Sequence, residues 1–305
     1  MSKYLNFGLM QYELADDCNG NIEKIKKHVD MLMSGMNKPE MILGPEFALG
    51  FDARLTDEIL TIFSNIAKEY KIYFLPGTVI NREGESLYNT LPIFGPDGRL
   101  IDQYHKICPY FPVESAFTPG DRLVVFDVPE KNIKAGVLIC HDWCFPEISR
   151  NLTLMGADIL LRPAADPEGL YEAYRYVAPV RALENQAYFI SVSTCGNNQG
   201  YYAYGNSIIA NPEGRIVYEA GNNEINLCIT LDLELVRRSR RYGTFFTDQL
   251  VRQLKVFNLA APFGGIENAP LLKDLPEPDI KMKSRLALVQ TEGVNLELGN
   301  FNRKK

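Results

Sequence analysis

Three stretches of this 305-residue chain each hold one ionisable residue in a restricted setting: Glu46 in MILGPEFALG, Lys106 in QYHKICPYFPVE and Cys140 in AGVLICHDWCFPEISR. A thiol attacks as its thiolate, so it needs a base or a cation alongside, and the turn after a strand can aim backbone N–H groups at a reacting carbonyl. Cys140 ends an apolar run and precedes polar His141 and Asp142. That is the pattern of the carboxyl end of a buried strand, where open α/β sheets form their clefts. Glu46 stands in the equivalent place on another apolar run, after Pro45. A carboxylate there reads either as a cleft-facing general base, its pKa raised by burial, or as a solvated loop charge. Lys106 follows a hairpin strand and is either a surface charge or a cation held beside a thiol and an oxyanion. Each residue alone has a structural reading, a small buried core residue in the case of the cysteine. The three in combination suggest an activated thiol with its own acid, base and cation.

Rival constellations are poorer. Cys140 and Cys144 stand four apart, but no second cysteine pair follows and the histidines are only His28, His105 and His141, so no metal site is expected. A cysteine–histidine dyad would need the fold to bring His28 or His105 to the thiol, and His141 is badly placed as the base of its own neighbour. The chain has no G-x-S-x-G, no phosphate-binding loop and no G-x-G-x-x-G, so no cofactor is expected.

A formal charge of −6 argues against nucleic acid and acidic membrane surfaces as partners. The longest basic run, RRSRRY from Arg237 to Tyr242, reads as a solvated helix end. Six scattered cysteines, no N-terminal apolar leader and no stretch long enough to span a bilayer point to the cytoplasm.

Apolar runs of strand length (YLNFGLMQY, EMILGPE, KIYFLPGTV, AGVLIC, GADILLRPAA, AYFISVSTCG) alternate with helical segments such as GNIEKIKKHVDMLMSGM, the punctuation of a layered α/β domain. NTLPIFGPDGRLIDQY and NSIIANPEGRIVYEA instead predict hairpins around Pro-X-Gly turns, so sheets of mixed direction are expected. With no linker, charge block or repeat before it, residues 1–260 read as one domain. Residues 261–305, rich in Pro and Gly before the short apolar LALVQ, read as an extension that packs on this domain or on a partner subunit.

In order and content, GPEFALG, YHKICPY and GVLICHDWCFPE resemble the three signature segments of the nitrilase, or carbon–nitrogen hydrolase, superfamily. GADILLRPAA, VRALENQAYFISVS and YGNSIIANPEGRIV are similar to its downstream framework, so the likeness covers roughly residues 4 to 235. The resemblance implies a four-layer αββα sandwich with Glu46 as general base, Lys106 as cationic stabiliser and Cys140 as nucleophile, in a protein that pairs with further copies of itself. KICPYFPVESAFTPGD is most similar to the aliphatic amidase and formamidase branch, where a second glutamate, here Glu114, helps position substrate.

That family chemistry is acyl transfer through a thioester, with the oxyanion held by Lys106 and the backbone N–H of His141. The expected substrate is a small amide or carbamoyl compound, cleaved with release of ammonia. His141 and Asp142 after the nucleophile favour amides over nitriles, while Asn206 stands where the family often has His. A biosynthetic acyltransferase or amide-forming enzyme using the same triad is the alternative. Phe51, Trp143 and Tyr171, with Tyr174, Tyr201, Tyr202 and Tyr204, are candidate pocket walls.

Overall fold

The computed structural model of the chain describes residues 3–257 except residue 199, together with residues 259 and 270. The proposed extension over 261–305 lies, but for residue 270, outside the described residues. In chain order the described strands are β1 (Tyr4–Gln11), β2 (Met41–Leu43), β3 (Tyr73–Leu75), β4 (Val79–Glu83), β5 (Ser86–Phe94), β6 (Leu100–His105), β7 (Val124–Val128), β8 (Ile133–Val137), β9 (Ile159–Ala164), β10 (Tyr188–Ser193), β11 (Cys195–Asn198), β12 (Tyr201–Tyr204), β13 (Ile208–Ala210), β14 (Ile216–Glu219) and β15 (Ile225–Asp232). The first sheet runs β15-β1-β2-β3-β5-β4, with β6 also paired to β5, and the second runs β14-β13-β10-β9-β8-β7. Each has a parallel centre, β1-β2-β3 in one and β8-β9-β10 in the other, flanked by antiparallel strands. Both expected hairpins form, β5 with β6 and β13 with β14.

Strand side chains alternate between faces, and the central strands are apolar on both, so each sheet must be covered twice. Leu5, Phe7 and Leu9 of β1 and Met41 and Leu43 of β2 meet Ile159 and Leu161 of β9 and Tyr188, Ile190 and Val192 of β10 in one core between the sheets. The opposite faces take helices. Met10 and Ile42 pack with Ile25 and Val29 of α1 (Cys18–Ser34) and Phe63 of α2 (Asp57–Tyr70). Leu160 and Phe189 pack with Leu152 of α3 (Pro146–Leu154) and, beyond the short α4 (Tyr171–Tyr174), with Ala178 and Ala182 of α5 (Val177–Asn185). The layers are therefore helix, sheet, sheet, helix, the αββα sandwich. Among the described residues no helix is long and apolar enough to cross a membrane.

The basic run lies in α6 (Leu233–Tyr242) but is not wholly solvated. Arg240 reaches Asp158 at 2.8 Å and the carbonyls of Ala157 and Gln186, clamping this helix to the loop before β9.

The loop that carries Glu46 is shaped by its neighbour. Gly77, at φ +108°, has its α-carbon so close to Pro45 that a Cβ would lie 2.0 Å from the Pro45 carbonyl oxygen. Thr78 then clasps the next turn, its Oγ1 accepting from Phe47 N at 2.8 Å and its carbonyl from Ala48 N at 2.9 Å. Gly77→Ala should therefore cost about 2 kcal/mol or more, since it adds both a clash and a strained φ. The measurement is a lowered midpoint in thermal or urea unfolding, accompanied by reduced turnover as Glu46 shifts.

Candidate active site

Glu46 lies three residues beyond β2, at the carboxyl end of a parallel strand in the first sheet. Its N–H donates to Ala164 O at 3.1 Å, at the end of β9 in the second sheet, so one hydrogen bond fixes this loop across the sandwich. The side chain is 1% exposed. Burial raises its pKa above the usual glutamate range; Lys106 opposes that shift and the neighbouring Glu114 adds to it.

Lys106 follows β6, the antiparallel neighbour of β5, and is also 1% exposed. Its Nζ donates to Glu46 Oε1 at 2.8 Å and to Glu114 Oε2 at 2.6 Å. Burial alone would strip its proton, but Glu114, Glu46 and Cys140 together hold its pKa well above the ordinary lysine value. Glu114 sits in the turn-rich segment after Lys106, where the N–H of Tyr110 donates to Oε2 at 2.5 Å. Asn89 of β5 completes the group: Nδ2 donates to Glu46 Oε1 at 2.8 Å and to Glu114 Oε1 at 3.1 Å. Two carboxylates can only accept, which fixes which way this amide points.

Cys140 stands where the chain leaves β8 and turns into a short 3-10 segment, Cys140–Cys144, and it adopts φ +44°. A left-handed β-carbon-bearing residue on a strand-to-helix turn is strained, and such strain presents a side chain outward from the turn. The turn is held from inside by Asp142, fully buried, whose carboxylate accepts from Ile139 N at 2.8 Å, Tyr104 OH at 2.7 Å and Cys108 N at 2.7 Å. The last bond ties the nucleophile turn to the Lys106 segment. Burial pushes the Asp142 carboxyl up to about 6 despite those donors. The Cys140 thiol donates to Asp166 Oδ1 at 3.6 Å, and Glu46 acts on it through its charge. Burial first, and then the charges of Glu46 and Asp166, raise its pKa well above the ordinary thiol value, while Lys106 and Arg162 work the other way. The Cys140 thiol thus holds its proton more tightly than an ordinary thiol, beside the Glu46 carboxyl.

The structure brings Glu46, Lys106 and Glu114 into one hydrogen-bonded group, with Cys140 close enough to feel the charges of Glu46 and Lys106. His141 is half-buried, its Nδ1 3.3 Å from Cys108 O and its ring edge-on to Tyr110 and Phe145. His28 and His105 are engaged elsewhere, with Asn226 and with Thr90 and Glu83. Among the described residues no cluster of three or more His, Cys, Asp or Glu side chains could hold a metal ion.

Of the candidate pocket walls, Phe51 stacks edge-on against Tyr201 and packs on Phe47, next to Glu46. Trp143 is 1% exposed, stacked on Phe189 and beneath the Arg162 guanidinium, and with Asp166, Tyr171, Tyr174 and Tyr204 it lines a small cavity. Tyr171 is bonded to Glu219 and edge-on to Tyr204. Tyr202 alternates to the outer side of β12 and is exposed. Sequence reasoning missed Asn89, Arg162 and Asp166. The available signal was an Asn inside the apolar strand NTLPIF and an Arg inside ILLRPA, polar residues where the pattern demands apolar ones.

An αββα sandwich carrying a buried glutamate, lysine and strained cysteine at the strand ends defines a class of thiol-dependent hydrolases. The chain belongs to the carbon–nitrogen hydrolase family of the nitrilase superfamily, whose pattern it matches over residues 8–241. It is 36% identical to a nitrilase of Pyrococcus abyssi over 186 residues, 60% of this chain and 68% of that protein. It is 30% identical to omega-amidase NIT2 of Xenopus tropicalis over 225 residues, 67% of this chain and 79% of that protein. Saccharomyces cerevisiae Nit3, a solved member of branch 10 of the superfamily, superposes with a TM-score of 0.72 at 27% identity, over 79% of this chain and 94% of its own. The amidase of Nesterenkonia sp., solved with the acetamide moiety of fluoroacetamide added covalently at its active-site cysteine, shares the fold, with a TM-score of 0.70 at 23% identity over 78% and 94% of the two chains.

Asn89 donates to Glu46 and favours its charged form, so its loss should raise the apparent pKa of Glu46 further. In Asn89→Leu the acid limb of the activity profile should move to higher pH and turnover should fall. A pH titration of kcat/KM for both proteins reads the shift, which belongs to the coupled set rather than to one residue.

Proposed function

We propose that the protein hydrolyses the C–N bond of a small primary amide or carbamoyl compound through a thioester on Cys140, releasing ammonia. The observation that carries this reading is the single hydrogen-bonded group of Glu46, Lys106 and Glu114 beside a thiol on a left-handed turn. Glu46, whose pKa burial raises, takes the thiol proton, and the sulfur attacks the amide carbon. The tetrahedral oxyanion forms within reach of the Lys106 ammonium and the backbone N–H of His141. Glu46 returns the proton to the leaving nitrogen, ammonia departs, and the same carboxylate then deprotonates the water that cleaves the thioester. Glu114, bonded to Lys106, has no free role as a proton carrier in this scheme and serves to hold the ammonium and orient the substrate.

The relatives support amide chemistry in name, and the Pyrococcus protein is named a nitrilase. Amide over nitrile is therefore the reading to test. Cys140→Ala should abolish turnover while leaving the circular dichroism spectrum and thermal midpoint near those of the parent, since only one sulfur atom is removed. Ammonia release from a panel of primary amides should exceed that from the matching nitriles. Faster release from nitriles would overturn the choice of substrate, and near-normal turnover in Cys140→Ala would overturn the nucleophile.

Self-association is part of the same proposal. Phe145, Leu154 and Met155 around α3 and Tyr176, Val180 and Leu183 around α5 are all exposed, and the two helices pack side by side on the outer face of the second sheet. Such a patch at helices that also brace the nucleophile turn suits a self-complementary dimer interface. Leu154→Asp with Val180→Asp should convert the assembly to smaller species in light scattering; an unchanged mass would remove this face as the interface.

A further inference from the structure

The proposed mechanism uses one carboxylate beside the thiol, and the structure holds a second. Asp166, two residues past β9 and 1% exposed, places Oδ1 3.6 Å from Cys140 Sγ. Its other acceptor positions are taken: Arg162 Nη2 donates to Oδ1 at 2.6 Å, Arg162 Nη1 to Oδ2 at 2.7 Å and Tyr204 OH to Oδ2 at 2.8 Å. Arg162 is fully buried, with Nε donating to the Cys140 carbonyl at 2.9 Å, Nη1 also to Ser191 Oγ at 2.8 Å, and its guanidinium 3.3 Å from the centre of the Trp143 ring system. A buried ion pair is a poor source of stability compared with apolar side chains of the same volume, so a pair in contact with both the carbonyl and the thiol of one residue points to a role at that residue.

We infer that Arg162 and Asp166 are positioning residues for Cys140: Arg162 holds the carbonyl of the left-handed turn, and Asp166 holds the thiol in one orientation without acting as its base. Both Asp166 oxygens are engaged by a two-pronged guanidinium and a phenol, which fixes this carboxylate in place beside the sulfur. Glu46, buried beside a second carboxylate, is the better acceptor. Two carboxylates thus flank one sulfur with different duties, set by their cationic partners: Lys106 is shared between two acids, whereas Arg162 is committed to one.

The charged and titratable groups acting on the thiol are Glu46 and Lys106 from the first sheet, Asp166 and Arg162 from β9, and Tyr201 and Tyr204 from β12. Removing only the negative charge of Asp166 leaves Arg162 unopposed and favours the thiolate, whereas removing both charges nearly cancels. This inference rests on Cys140 as the nucleophile. Its first readout is therefore alkylation of Cys140 by iodoacetamide, followed by mass spectrometry of the Cys140 peptide, which needs no substrate and stands apart from any failure of the amidase reading.

In Asp166→Asn the pH midpoint of Cys140 alkylation should fall relative to the parent. In the double variant Arg162→Met/Asp166→Asn, which leaves no unpaired buried charge, the midpoint should stay near the parent value. On an amide that the parent hydrolyses, the double variant should lose kcat by about 10²-fold, the scale of an ångström's misplacement of a reacting group, with KM within about twofold. General loosening of the fold would expose all six cysteines and could not lower the midpoint in the single variant while restoring it in the double. An unmoved or raised midpoint in Asp166→Asn, or parental kcat in the double variant, would overturn the inference; should Asp166→Asn fail to fold, kcat of the double variant decides.

Discussion

The buried ammonium of Lys106 is the interaction on which the site depends. An isolated lysine at 1% exposure would give up its proton, and isolated glutamates at similar depth would keep theirs. Held at 2.8 and 2.6 Å from Lys106, the two glutamates retain the ammonium, and Lys106 in turn opposes the upward shift of Glu46. Two acids around one cation leave a surplus negative charge, and one extra proton relieves it. Burial and the neighbouring Glu114 raise the pKa of Glu46, and the Cys140 thiol lies in the same field. In the proposed mechanism this is what suits Glu46 to act as base toward the thiol.

Backbone geometry supplies the other half. A thiol in an ordinary strand would lie in the sheet face among core residues. At φ +44°, on the exit from β8, it lies beside Glu46 instead, and the strain is held by Asp142 below, by Arg162 on the carbonyl and by the packing of Trp143. Cys108 N, bonded to the same Asp142, links this turn to the Lys106 segment, so one buried carboxylate ties together the loops that carry Cys140 and Lys106.

The sandwich makes these contacts possible because both sheets present the ends of parallel strands to the same region. Glu46 leaves β2 of the first sheet, Cys140 and Asp166 leave β8 and β9 of the second, and Glu46 N to Ala164 O joins the two edges directly. Each sheet alone would hold half of the site. The fold is covered on its outer faces by helices, and those beside the nucleophile expose a row of apolar side chains that the core does not need.

Much of this was legible in the sequence. Apolar runs of strand length set apart by helical periods specify a layered α/β chain, and Pro-X-Gly between alternating segments specifies hairpins, because these depend on local backbone preferences and on period. Glu46, Lys106 and Cys140 stood out only in combination, since each alone has an ordinary structural reading, and Glu114 came from the resemblance to the amidase branch, which places a second glutamate at that distance after the lysine. Asn89, Arg162 and Asp166 did not stand out, since each lies within or just past a strand whose register alone decides whether it faces core, solvent or site. Trp143 illustrates the same limit: its place three residues after Cys140 says nothing of its packing against Phe189 and the Arg162 guanidinium, which only the tertiary structure decides. Local sequence determined which groups the chain had for chemistry, and only the meeting of two sheets decided which carboxylate was paired with which cation, because that pairing joins residues far apart in the chain.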